Sequence, residues 1–207
     1  EYSSTPTVVN RWHGSTDGVF NEDTYTSRTL TKDLEDVSNY LKKEYGYNTG
    51  SWTDFPATNT NLKVLARLDW NINDAHKLAV RYNYTLNQVW KMANASSMDG
   101  GSRSSFARFS EYGMSYVNSL YSQDNLATSV TLDLNSRFSD NLHNQCLATF
   151  SKLDDMRGTN SEDFPFIDIR NDDGSSVLPY ISAGYELFTW NNGVHNNNIL
   201  VKDDLTY

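Results

Sequence analysis

The sequence predicts an all-β fold: a fragment of a large antiparallel transmembrane β-barrel with long extracellular loops and one short loop helix. Three observations support this prediction. Two segments, residues 62–86 and 126–152, alternate apolar and polar side chains over unusually long stretches. Each is interrupted by a short polar turn, whereas the connections between them are long. Alternation places the apolar side chains on one face of a strand and the polar ones on the other.

The first hairpin is the clearest element. In residues 62–72 the even-numbered positions are apolar and the odd ones are polar, apart from Leu65. The pattern restarts after Asn73-Asp74-Ala75 and continues over 78–86. Each run is about ten to twelve residues long, whereas ordinary strands have about five or six residues and tilted membrane-spanning strands need roughly 9–11. The two runs therefore predict an antiparallel, membrane-spanning hairpin.

Residues 126–152 repeat this layout about 60–70 residues further on, with a turn at Ser139-Asp140-Asn141. The returning run, 143–152, alternates poorly. A further strand pair is predicted over 185–207, interrupted by Asn191-Asn192-Gly193. Repeated hairpins with short turns on one side and long loops on the other are typical of an outer-membrane barrel.

We expect the apolar positions to face lipid and the polar positions to face a wet interior, because spanning strands close into a barrel in hydrocarbon. The alternative is a soluble β-sandwich, in which the apolar face forms a core. The predicted lipid-facing and aromatic-girdle residues are Leu68, Trp70, Ile72, Tyr82, Tyr84 and Phe138. The predicted lumen-facing residues are Lys63, Arg67, Asp69 and Arg81.

We divide the chain into 1–60, an extracellular loop region with a short helix near 32–45, and 61–207, barrel hairpins with long connecting loops. Thr31 is the expected helix cap and Gly46 its end. Aromatic residues among polar loop residues are the candidate ligand contacts, and packing of the loops on themselves is the alternative. These candidates are Trp12, Tyr45, Tyr47, Trp52 and Trp90.

Composition excludes several classes of protein. The formal charge of −9 argues against a nucleic-acid surface, which needs clustered Lys and Arg. No apolar run approaches the roughly 18 residues of a membrane helix. A single cysteine, Cys146, excludes an internal disulfide framework. No catalytic or phosphate-binding motif is present, so we predict no enzyme activity and no cofactor. The acidic stretch 168–174 misses the calcium-loop register at Arg170, so we predict no metal site.

The first hairpin resembles the Oar-like TonB-dependent receptors of the Bacteroidota outer membrane. The similarity is strongest over Ala66-Arg67-Leu68-Asp69-Trp70-Asn71-Ile72-Asn73-Asp74-Ala75-His76-Lys77-Leu78. Shorter similar stretches follow the family's order: Arg11-Trp12, Ser15 to Gly18, Ser27-Arg28-Thr29, Lys43 to Phe55, Leu134 to Ser139 and Trp190 to Val194.

The resemblance implies a parent barrel of about 22 strands with a plug domain, energised by TonB. We expect residues 1–207 to be an interior stretch of such a chain, located in the bacterial outer membrane and lacking the plug. The implied partners are outer-membrane lipid, TonB through another part of the parent, a surface lipoprotein and an unknown nutrient. The alternatives are a soluble surface-exposed β-rich binding or adhesion module, or an Oar-type role in surface assembly or protein export.

Overall fold

The computed structural model describes residues 1–94, 108–171 and 178–207. Its centre is a six-stranded antiparallel sheet in the order β1-β4-β5-β7-β8-β11. Each strand pairs with the next strand of the sheet along the chain, so the sheet is an up-and-down meander. The strands are β1 Tyr2–Val8, β4 Pro56–Asn71, β5 His76–Lys91, β7 Tyr121–Arg137, β8 His143–Thr159 and β11 Gly193–Thr206.

The described residues of the long connections form two smaller sheets and one α-helix. β6 pairs in parallel with β10, which pairs antiparallel with β9, and β2 pairs in parallel with β3. A short 3-10 helix, Val117–Ser119, precedes β7. The bounds are β2 His13–Ser15, β3 Thr26–Leu30, α1 Thr31–Tyr45, β6 Met114–Ser115, β9 Ile167–Ile169 and β10 Ile181–Ala183. The prediction of an all-β, mainly antiparallel fold with one short helix is confirmed.

The four strands of the two hairpins are longer than the sequence pattern predicts. β4 and β5 have 16 residues each, and β7 and β8 have 17. The additional residues lie mainly at the end away from the short turns, where apolar and polar residues do not alternate regularly. Asp154 and Asp155 are therefore in β8 and not in the connection that follows it.

Two further predictions about elements are corrected. Residues 185–207 contain one strand, β11, and not a pair, since Asn191-Asn192 lie in the turn before it. The region 1–60 also contributes more than a loop, because β1 and the start of β4 are paired in the main sheet. Two prolines lie in the main sheet: Pro56 is the first residue of β4, and Pro6 lies in the edge strand β1. Proline has no N–H to donate, so a sheet accepts it at these two kinds of position.

Helix α1 begins one residue earlier than predicted. Leu30 is the N-cap and no side chain caps it locally, so the assignment of Thr31 as the cap is wrong. Gly46 ends the helix in the left-handed conformation, at φ 71°, and its N–H contacts the carbonyls of Leu41 and Lys42. The C-terminal prediction is therefore confirmed.

Candidate functional site

One face of the main sheet carries a continuous apolar band. Residues paired directly across antiparallel strands lie on the same face. One such line runs across five strands through Leu68, Val80, Leu132, Ala148 and Val201. We define the apolar band as the following side chains of this face: Leu62, Val64, Ala66, Leu68, Trp70, Leu78, Val80, Tyr82, Tyr84, Leu86, Leu126, Val130, Leu132, Leu134, Cys146, Ala148, Phe150, Ile199 and Val201.

The apolar band is open to solvent in the part of the chain that the structure describes. Leu68 is 65% exposed, Trp70 is 58% exposed and Ile199 is 75% exposed. On this face, the paired positions of β4, β5 and β7 between the lines of Leu62 and Trp70 are all apolar or tyrosine, except Thr128. An exposed apolar surface of this extent marks an interaction surface, because soluble monomers seldom expose one.

The predicted lipid-facing residues lie at different heights on this surface. Trp70 lies at the end near the short turns, and Tyr84 lies one pair from the opposite end, facing Val64. Tyr82 pairs with Ala66 and lies halfway along the band. Leu68 pairs with Val80, one pair nearer the short turns than Tyr82. Ile72 and Phe138 follow β4 and β7 directly in the turns and are 44% and 59% exposed.

The opposite face is polar, and it brings together all four predicted lumen-facing residues. Lys63, Arg67 and Asp69 alternate with the apolar band along β4, and Arg81 pairs with Arg67 across β5. Arg67 Nη2 lies 2.7 Å from Asp69 Oδ1. This pair offsets the repulsion that two opposed arginines produce.

Asp133 is the centre of this polar face, although no sequence motif marks it. Its carboxylate accepts hydrogen bonds of 2.9 Å from the amides of Asn135 and Gln145, and Arg81 Nη2 lies 3.8 Å from it. Its side chain is only 11% exposed. One carboxylate thus links β5, β7 and β8. Only the register of these strands shows that its partners lie close together.

A polar cluster marks the end of the apolar band nearest the long connections. Asp154 lies on the band's face of β8, where its carboxylate contacts Lys152 Nζ at 2.8 Å and His195 Nδ1 at 2.6 Å. The Asp154 side chain is 4% exposed, and both partners are half exposed. The apolar character of this face therefore stops here rather than continuing to the loops.

The three long connections pack together at one end of the sheet, and we call this unit the loop body. It comprises the described residues between β1 and β4, between β5 and β7, and between β8 and β11. Side chains from all three connections form one core. Its buried apolar members are Leu34, Leu41, Tyr47, Phe55, Phe109, Met114, Tyr116, Leu120, Ile181 and Ala183.

The five candidate ligand aromatics differ in how exposed they are in the loop body. Tyr47 is 2% exposed, stacks on Phe164 at 4.1 Å and its hydroxyl lies 2.8 Å from Ser161 Oγ, so its assignment to a ligand-facing surface is wrong. Tyr45 is 63% exposed. The other three, Trp12, Trp52 and Trp90, are half-buried and pack against the core.

A buried arginine joins two of the connections. Arg108 has a fully buried side chain, donates to Ser182 Oγ at 2.9 Å and to the carbonyl of Asn94 at 3.1 Å, and pairs with Asp168. Its guanidinium carbon also lies 4.4 Å from the centre of the Phe166 ring. Burial lowers the pKa of Arg108, and the Asp168 carboxylate opposes that effect. This use of Asp168 agrees with a structural role for the residue rather than a metal ligand.

Tyr180 supplies the cap that helix α1 lacks locally. Its hydroxyl accepts a hydrogen bond of 2.8 Å from the N–H of Leu30 and donates one of 2.7 Å to Asp33 Oδ2. A capping box normally joins these two helix positions directly. Burial, followed by the neighbouring Asp33 carboxylate, raises the pKa of Tyr180 to about 12.

The described residues were also compared with the requirements of a membrane-crossing helix and of a metal site. None of the helices in residues 1–94, 108–171 and 178–207 has the length and apolarity that a membrane-crossing helix needs. Within the same ranges, no three His, Cys, Asp or Glu side chains converge on a point where a metal ion would bind.

Comparison with known proteins yields no match to any family model, to any curated protein or to any solved structure.

Proposed function

We propose that residues 1–207 form part of the barrel wall and outer loops of a TonB-dependent outer-membrane transporter that takes up a nutrient. The observation that carries this proposal is the exposed apolar band backed by a polar face. The ten-residue rise from Leu62 to Ile72 is about 34 Å at ~3.4 Å per residue. A tilt of about 40° reduces it to about 26 Å, which fits an apolar belt of ~25 Å.

Exposure favours lipid over the core of a soluble sandwich as the partner of this band. A sandwich would cover the band with a second sheet about 10 Å away. Among the described residues, the loop body instead packs at the end of the sheet and leaves the band open. The residue order on the two faces therefore supports hydrocarbon on one side and water on the other.

The direction of the strands supports the same proposal. Both short turns, 72–75 and 138–142, lie at one end of the sheet, and all three long connections lie at the other. In bacterial outer-membrane barrels the short turns are periplasmic and the long loops extracellular. The loop body would then be exposed at the cell surface, where a nutrient or a surface lipoprotein binds.

In this proposal the protein has no enzymatic role. Proton-motive force reaches it through TonB, which contacts another part of the parent chain. Strands contributed by that parent pair with the free edges of β1 and β11, since unpaired backbone groups are too costly in hydrocarbon. The acidic charge of the chain gives no reason to expect a nucleic-acid partner.

Membrane fractionation of the full-length protein tests the proposal. We expect extraction only with detergent, a folded band on a gel that shifts after heating, and cleavage of the 92–120 connection by protease added outside cells. Release without detergent and the absence of a heat shift would reject the barrel in favour of a soluble binding or adhesion module. Loss of surface proteins, with nutrient uptake intact in a deletion strain, would instead favour assembly or export.

A further inference from the structure

A row of amide side chains crosses the polar face of the sheet next to the loop body. Asn61 pairs with Asn87, Asn87 pairs with Asn125, and Asn125 pairs with Asp155. We call these four residues the amide row. It spans three strand spacings, or about 14 Å at ~4.8 Å per spacing. Because the pairs are directly opposed, the four side chains project from the same face of the sheet.

The amide row borders a depression with a volume of about 310 Å³. Its polar lining consists of three members of the row, Asn196 of β11, Thr85 of β5 and Asp154 of β8. Its apolar lining comes from the next line of side chains, Ala127 and Leu153, and from Val194. The site is therefore a concave surface with aliphatic side chains between hydrogen-bonding groups, on the scale of small-ligand pockets.

The hydrogen-bonding groups at this site are available to a ligand. Within the described part of the chain, the side chains of Asn125, Asp155 and Asn196 have no hydrogen-bond or ion-pair partner. Asn87 Oδ1 accepts only a long contact of 3.5 Å from Asn61 Nδ2. Asn61, the fourth member of the row, lies outside the lining of the depression, and its Oδ1 atom is buried without a partner.

We propose that the amide row binds a neutral oligosaccharide. Side-chain amides both donate and accept hydrogen bonds, as sugar hydroxyls do, and a carboxylate accepts from two adjacent hydroxyls. The aliphatic lining suits the C–H face of a sugar ring. Asp155 has no cationic partner among the described residues, so an anionic ligand would be repelled.

The position of the row within the sheet argues against an extended peptide. β5, β7 and β8 are interior strands whose backbone groups are paired on both sides. A peptide therefore has no strand edge to extend, which is the usual way that main-chain hydrogen bonds give affinity to a sheet. The inference rests on the proposed function, because it places the row on the wall of the transport path, just below the loops.

The test uses the full-length protein in detergent on an array of neutral oligosaccharides, anionic oligosaccharides and uncharged serine- and asparagine-containing peptides. Titration calorimetry then measures the affinity for the array glycan that binds most strongly. We expect a neutral glycan, and we expect the double variant Asn125→Ala/Asn196→Ala to weaken binding by about tenfold or more, as the loss of two hydrogen bonds predicts. The matched control is Asn198→Ala, on the same face of β11 one step outside the depression, which should change affinity by less than about twofold.

Each alternative outcome is separable from failure of the barrel proposal. Suppose that the protein is heat-modifiable and needs detergent for extraction. If it then binds no neutral glycan, or if the double variant binds as tightly as wild type, the carbohydrate site is rejected and the transporter proposal is unaffected. Preference for an uncharged serine- and asparagine-containing peptide also overturns it. If the protein is released without detergent, the transporter proposal fails, and the array result still decides what the amide row binds.

Discussion

At the scale of single residues, some hydrogen bonds of the loop body join partners that lie far apart in sequence. Tyr180 and Leu30 are 150 positions apart, yet one hydroxyl joins the helix N-cap to Asp33. Asn73, in the short turn between β4 and β5, has near neighbours as partners. Its Oδ1 accepts hydrogen bonds of 2.9 Å from the N–H groups of Ala75 and His76. Sequence patterns reveal the second kind of contact and not the first.

The first prediction concerns Tyr180. The variant Tyr180→Phe removes both hydrogen bonds of the hydroxyl, so we expect it to destabilise the loop body by about 1–2 kcal/mol. Faster amide hydrogen exchange at the start of α1 would measure this loss. Tyr112→Phe is the control, because the Tyr112 ring is 42% exposed. Equal exchange rates in the two variants would contradict a capping role.

The raised pKa of Tyr180 also predicts a pH dependence. The unfolded chain loses this proton near pH 10, whereas the folded loop body keeps it up to a pKa of about 12. The folded state therefore binds more protons in this window, and stability falls as pH rises from about 10 to about 12. Below pH 10 the contribution is fully present. The difference in tyrosinate absorbance between wild type and Tyr180→Phe should titrate in the upper part of this window.

The second prediction separates two neighbouring tyrosines. Tyr47→Ala removes a buried ring from the core, and we expect a cost of about 3 kcal/mol or more. Tyr45→Ala removes an exposed ring and should leave the melting temperature nearly unchanged. Nutrient uptake by the same variant tests whether Tyr45 contacts the ligand. Thermal unfolding of the purified variants provides the comparison. A destabilised Tyr45→Ala would show that this ring belongs to the core as well.

At the scale of elements, strand register sets the division between the two faces. From Leu62 to Trp70, every second residue of β4 enters the apolar band, and Leu65 is the one large apolar residue on the polar side of the 62–71 stretch. A shift of one residue would reverse this arrangement. The short turns and the paired polar groups around Asp133 stabilise the observed register.

The third prediction uses Leu65 as an internal control for Leu68. On a lipid-facing surface near the bilayer midplane, Leu68→Arg should cost roughly 2–4 kcal/mol and impair membrane assembly. Leu65→Arg places the same charge three residues away on the polar face, where its side chain is 75% exposed, so assembly should proceed. The heat-modifiable fraction in isolated membranes measures both variants. Normal assembly of Leu68→Arg would reject the lipid-facing assignment.

At the scale of the whole molecule, the loop body joins three connections into one folded unit at one end of the sheet. Arg108 and Asp168 connect two of them, and Tyr180 connects the third through α1. A unit with its own buried core provides a rigid surface for binding, which separate loops would not provide.

The fourth prediction concerns this unit as a whole. Arg108→Met leaves the Asp168 carboxylate without its buried partner, so we expect a loss of about 3–5 kcal/mol. Arg28→Met breaks the exposed pair with Glu111 and should cost less than about 1 kcal/mol. Limited proteolysis should release loop fragments from the first variant, with the main sheet still heat-modifiable. Protease resistance equal to that of Arg28→Met would contradict the role of Arg108.

The hairpins, their turns, the two faces of the sheet and the end of α1 at Gly46 were all predictable from the amino-acid sequence. These features depend on contacts between near neighbours, so alternation and turn residues report them directly. Other features became visible only in the folded chain: the strand lengths, the burial of Tyr47, the roles of Tyr180 and Arg108, and the alignment of Asn61, Asn87, Asn125 and Asp155. Each depends on residues that are distant in sequence, and local periodicity carries no signal for such contacts.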